Sequence, residues 1–203
     1  MKRNALLLAP VAAAALLLAG CSSDASDSES SETTTVTAQP TEPFAAPTPG
    51  ADGCPTAAPA ADAKAQWTVE GTAGKAEILG QSDTAAPRVV LTAPFTVDKT
   101  EVKTLVEGTG ATVTEASTVK VCYMGVNGRD GTVFDSAYER GAAAEFGAGE
   151  VIPGFRQALV GQKVGSTVAV VIPSDDGYPQ GTPDGSIAAG DTIMFALKIL
   201  AMS

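Results

Sequence analysis

The stretch Ile152-Pro-Gly-Phe-Arg-Gln-Ala-Leu-Val-Gly161 decides the fold. It stands among runs that alternate, and it does not alternate. Phe155 and Leu159 lie four residues apart with Ala158 beside them, which is one face of a helix. Pro153 suits a first helical turn, where its missing N–H would be unpaired anyway, and Gly161 suits the end. A helix this short is not stable alone, so it must pack on a sheet.

The sheet is read on either side. In Val119-Lys-Val-Cys-Tyr123, Val119, Val121 and Tyr123 share one face, while Lys120, Cys122 and Met124 share the other. Val168, Val170 and Ile172 share a face, as do Ile193, Phe195, Leu197 and Ile199 in the last run. Glu101 to Val106 is a fourth candidate strand, and Thr132-Val-Phe-Asp135 marks a fifth. Strands, one short helix and more strands predict an α+β fold with an antiparallel sheet. Upstream, Trp67-Thr-Val-Glu-Gly71, Ala76-Glu-Ile-Leu79 and Arg88-Val-Val-Leu-Thr92 are short β-prone runs that can add strands to it. Residues 54–99 therefore read as a β-rich extension and residues 100–203 as the main domain.

Composition excludes several chemistries. The chain has 203 residues and no histidine, which removes imidazole catalysis and His-ligated metal sites. A formal net charge of -10 disfavours nucleic acid as a partner. Asp175-Asp176-Gly and Pro183-Asp184-Gly lack the regular spacing and closing Glu of a calcium loop, so they read as solvated turns and no metal is expected.

The N-terminus reads as a targeting segment. Lys2 and Arg3 precede an apolar run from Ala5 to Leu18, and Leu18-Ala19-Gly20-Cys21 closes it with small residues and a cysteine. The last four residues resemble a bacterial lipobox, which implies a signal peptide over residues 1–20 and a lipid on Cys21. The expected location is extracytoplasmic, anchored to a bacterial membrane. Residues 21–53, rich in Ser, Thr, Ala, Pro and Gly, read as a tether with a reach of roughly 30 Å.

Four motifs, in order, resemble the FKBP-type prolyl isomerases over Thr100 to Met202. Val121-Cys-Tyr-Met-Gly resembles the family's strand ending in Tyr-x-Gly, and Gly131-Thr-Val-Phe-Asp-Ser its Gly-x-x-Phe-Asp-Ser. Val151-Ile-Pro-Gly-Phe resembles Val-Ile-x-Gly-Trp, and Gly161-Gln-Lys-Val-Gly its turn after the helix. The resemblance implies a curved antiparallel sheet wrapped around one short helix, with an apolar pocket between them. Taken singly, Tyr123, Phe134 and Phe195 read as core and Asp135 with Arg140 as a structural pair. The ordered set of motifs favours a pocket.

By resemblance, Asp135, Tyr178, Tyr123 and Phe134 carry the chemistry. Arg140, Val151, Ile152, Phe155, Ile187 and Phe195 contact substrate, with Ile187 on the covering loop. The family implies proline-containing polypeptides as partners, macrolides as ligands and no cofactor. Two departures bear on activity. Phe155 stands where Trp is usual, which predicts a deeper pocket and altered activity. Ala144 stands where a second Phe is common, two residues before Phe146, which predicts an open rim. These departures keep a second function in view, a peptide-binding chaperone or docking module without turnover.

Two cysteines remain once Cys21 carries lipid. An even pair in an oxidising compartment is consistent with a Cys54–Cys122 disulfide. If Tyr123 faces the pocket, Cys122 faces the back of the sheet, where the segment carrying Cys54 could be pinned. The alternative is two free thiols, Cys122 filling space on its strand.

Overall fold

The computed structural model describes residues 53–203. The expected signal peptide, Cys21 and all but the end of the expected tether lie outside them. In chain order the strands are β1 (Trp67–Glu70), β2 (Ala73–Leu79), β3 (Arg88–Thr96), β4 (Glu101–Val106) and β5 (Thr118–Asn127). β6 (Val133–Ser136) runs into helix α1 (Ala137–Arg140), which is followed by β7 (Ala144–Gly147) and helix α2 (Pro153–Leu159). β8 (Thr167–Ile172), a 3-10 turn (Ser174–Asp176) and β9 (Ile193–Met202) complete the order.

All strand pairings are antiparallel, and the fold is mixed α+β. A three-stranded sheet has the order β1-β2-β3. A six-stranded sheet has the order β4-β8-β9-β5-β6, with β7 also paired to β5. The alternation read along β8 and β9 sorts their side chains into two cores. Val168, Val170, Ile172, Ile193, Phe195, Leu197 and Ile199 join the cluster that contains α2. Ala169, Val171, Met194 and Ala196 join Val69, Ala76, Ile78 and Phe95 from the three-stranded sheet. Every residue of β8 is consequently buried, where a sheet with one wet face would leave alternate residues exposed. The N-terminal strands supply this second cover.

Helix α2 occupies the place read for it. Pro153 opens it, Gly154, Phe155, Ala158 and Leu159 are buried, and Val160 caps its end. Gly154 is required by packing: a Cβ there would lie 2.4 Å from Ile172 Cγ2 on β8. One expectation needs correction. The sequence reading has a single helix, and the structure has a second, α1. Ser136 caps it, accepting from the Glu139 N–H at 3.2 Å, and Gly141 ends it in the left-handed region at φ 66°.

A disulfide joins Cys54 to Cys122, with Cα atoms 5.6 Å apart. It lies in the same buried cluster as Ala86, Ala137 and Tyr138. The segment after Cys54 is tied to the loop between β2 and β3, where the Ala86 N–H donates to Ala57 O at 2.8 Å.

Candidate active site

The cleft begins with β5. Tyr123 and Gly125 alternate on it, and Gly125 leaves room for aromatics on either side. A Cβ there would lie 2.6 Å from Phe134 Cζ and 2.8 Å from Phe195 Cε1. Five rings fill the wall. Phe155 meets Phe195 edge-on at 4.8 Å between centroids, and Phe134 meets Phe195 at 5.6 Å. Tyr123 lies 5.6 Å from Phe146 and 6.1 Å from Phe155. Such edge-to-face pairs hold rings at fixed angles as well as burying them.

These rings, with Asp135, Glu150, Val151, Ile152 and Tyr178, line a cavity of about 270 Å³. It is an apolar cleft with a few convergent polar groups, the form typical of small-ligand and peptide sites. Its polar edge is built by β6 and α1. The Tyr123 hydroxyl donates to one oxygen of Asp135, and Arg140 Nη1 donates to the other. Arg140 Nη2 donates to the Tyr123 hydroxyl at 3.2 Å, and the guanidinium carbon lies 5.7 Å from the Tyr123 ring centre.

This network sets the charges. Burial by itself would push the Asp135 carboxyl up. The hydrogen bonds from Tyr123 and Arg140, the Arg140 charge and the Ser136 backbone N–H outweigh it, and the carboxyl lies below its ordinary value. Asp135 is therefore a carboxylate at neutral pH. Burial and then the charge of Asp135 push the Tyr178 phenol up. Burial and the hydrogen bond to Asp135 push Tyr123 up, against an opposing effect of Arg140. Both phenols keep their protons and serve as donors. The Tyr178 hydroxyl and the Ile152 N–H donate to no group among the described residues, so both can meet a ligand carbonyl.

Of the residues singled out in the sequence, Tyr123, Phe134, Asp135, Val151, Ile152, Phe155, Tyr178 and Phe195 come together around this cleft. Arg140 stands behind Asp135 without lining it. Ile187 does not line it either: it is 2% exposed in the core, and its N–H donates to Thr182 Oγ1 at 3.0 Å. Phe146 and Glu150 line the cleft and were not singled out. Period-two counting from Ala144 would have put Phe146 on the same side of β7. Ala144 itself pairs with Val121 and lies outside the lining.

The sequence profile described as FKBP-type peptidyl-prolyl cis-trans isomerase matches residues 110–200. An FK506-binding protein of Streptomyces anulatus is 36% identical over 104 residues, covering 50% of this chain and 84% of that protein. Peptidyl-prolyl cis-trans isomerase FKBP15-1 of Arabidopsis thaliana is 42% identical over 87 residues, 42% of this chain and 56% of that one. Outer membrane protein MIP of Legionella longbeachae is 38% identical over 95 residues, 47% of this chain and 40% of that one. The crystal structure of FkpA from Escherichia coli superimposes with a TM-score of 0.46 at 31% identity, covering 51% of this chain and 47% of that one. The chain belongs to the FKBP-type peptidyl-prolyl cis-trans isomerase family.

Proposed function

We propose that the protein is a peptidyl-prolyl cis-trans isomerase that acts on extracytoplasmic polypeptides from a lipid anchor at Cys21. The observation that carries this reading is the aromatic cleft whose edge holds a carboxylate between Tyr123 and Arg140. Rotation about an X-Pro bond is opposed by about 18–20 kcal/mol, because resonance gives the C–N bond double-bond character. The resonance form is charge-separated, and water supports it. A cleft walled by Tyr123, Phe134, Phe146, Phe155 and Phe195 strips that water and lowers the barrier. No nucleophile or proton transfer is needed, which is compatible with a chain lacking histidine.

In this reading Phe155 and Phe195 seat the proline ring. The Ile152 N–H and the Tyr178 hydroxyl hold substrate carbonyls on either side of it. Asp135 faces the carbonyl that rotates out of conjugation, and Arg140 and Tyr123 keep it charged and oriented. Residues 21–53 space the domain from the membrane, residues 54–99 brace it, and residues 100–203 carry the cleft. The family's macrolide ligands would occupy the same cleft.

The test is a protease-coupled assay on the full chain with a cis-prolyl peptide. Acceleration above the uncatalysed rate, abolished by filling the cleft with a macrolide, supports the reading. A folded protein that binds the peptide without accelerating it would instead be a docking module.

A further inference from the structure

Away from the cleft, a buried polar contact ties the N-terminal segment to the helix that carries Arg140. Tyr138 in α1 is 2% exposed, and its hydroxyl donates to Gln81 Oε1 at 2.6 Å. Gln81 is itself 9% exposed and lies between β2 and β3, 57 residues upstream. Burial pushes the Tyr138 phenol far up, so it remains a neutral donor. The surroundings are equally closed. Ala137, Tyr138, Ala86 and the Cys54–Cys122 bridge share one buried cluster. At the other end of α1, a Cβ on Gly141 would lie 3.5 Å from Thr56 Cγ2.

A four-residue helix has almost no internal hydrogen bonding to hold it. Its position is set by what it packs against. On one side Tyr138 is bonded to Gln81, and Ala137 and Tyr138 join the core cluster that also holds the bridge. From its last residue the Arg140 side chain, about half exposed, reaches Asp135 and Tyr123.

We propose that Gln81 and Tyr138 are positioning residues for the Asp135 carboxylate. Their buried hydrogen bond fixes α1, and α1 fixes the Arg140 guanidinium against Asp135 and Tyr123. The three-stranded extension is then part of the machinery of the cleft, although Gln81 lies outside the family match at 110–200. The kinetic consequence rests on the isomerase reading; the structural one does not. The charged and titratable groups around Asp135 are Tyr123 on β5, Arg140 on α1, Tyr178 after β8 and Glu150 on the cleft wall. Of these, Arg140 alone rides on α1, so loosening α1 should weaken its hold and leave the others in place.

The experiment uses the full chain and two variants, Gln81→Met and Tyr138→Phe, with Ile78→Val as control. Ile78 is fully buried in the other core cluster, so its truncation destabilises the extension without touching α1. The Asp135 carboxyl is titrated directly by NMR, and prolyl-peptide kinetics are measured where every variant is folded. Both variants should move the Asp135 titration up toward the ordinary carboxylate value and lower kcat/KM by about fivefold, mostly through kcat. Ile78→Val should do neither. An Asp135 titration unchanged in both variants, or shifted equally in Ile78→Val, would overturn the proposal. If Gln81→Met does not fold, Tyr138→Phe decides alone, since it removes one oxygen and keeps the ring. A shifted titration in a protein that has no turnover even as wild type would keep the positioning role and remove the isomerase reading.

Discussion

At Asp135 a carboxylate held by Tyr123 and Arg140 stands at the edge of the cleft. In the proposed mechanism it meets a carbonyl that becomes more polar as it twists, so its charge should matter more than its volume. Asp135→Asn is expected to lower kcat/KM by about tenfold to a hundredfold and to cost less in stability than in activity, read by the coupled assay and a urea titration. The same residue predicts a pH dependence of stability. Its folded-state value lies below its ordinary 3.8. Its contribution is therefore fully present above that value and is lost as pH falls through the lower folded value. The stability gap between wild type and Asp135→Asn should stay constant from neutrality down to about pH 5 and close at more acid pH. A gap that closed already between pH 7 and 5 would mean that Asp135 is not held by Arg140 and Tyr123. Much of this site is legible in the sequence. Asp135, Phe134 and Tyr123 stand in motifs whose order and spacing point to one pocket. Phe146 and Glu150 are not, because Glu150 belongs to a turn with no period and Phe146 lies on a four-residue strand outside the four motifs.

Among the elements, the two helices differ in how visible they are and in what they support. α2 announces itself through Pro153, the Phe155–Leu159 spacing and Gly161. Its seat on β8 depends on Gly154, whose missing side chain lets the helix close on Ile172. Gly154→Ala should cost about 1–3 kcal/mol in urea denaturation, because Ile172 is fully buried and has little room to yield. It should lower activity too, since α2 carries Phe155 and follows Ile152. α1 was not visible, for its cap Ser136 sits inside the Phe-Asp-Ser motif and reads as strand. Four residues show no helical period. Ser136→Ala should remove the bond to the Glu139 N–H and cost about 1 kcal/mol. A cost of several kcal/mol, measured the same way, would mean that Ser136 does more than cap.

For the whole molecule, the bridge and the anchor make separate predictions. The Cys54–Cys122 bond spans a sequence separation of 68 residues. Cross-linking a loop of that length restricts the unfolded chain, and its loss through Cys54→Ser with Cys122→Ser should cost up to about 4 kcal/mol. Urea denaturation of the oxidised wild type against the double variant measures this, and equal midpoints would show that the bridge contributes no stability. The proposed anchor is tested by Cys21→Ala, which should move the protein from the membrane fraction to the soluble fraction. Retention of the variant after a high-salt wash would place the anchor elsewhere.

By itself the sequence determined the strands other than β7, the alternation along β8 and β9, the helix α2, the motifs that converge on the cleft and a pair of cysteines able to bridge. All of these are local, because periodicity and turn chemistry act over a few residues. Tertiary structure decided that β8 is buried on both faces, that the N-terminal strands form the second cover, that Ile187 enters the core and leaves the cleft wall, and that Gln81 meets Tyr138. No local pattern encodes these. A contact between residues 57 positions apart exists only when the intervening strands have paired and folded back, and burial then favours a partner for the Tyr138 hydroxyl, here Gln81 Oε1.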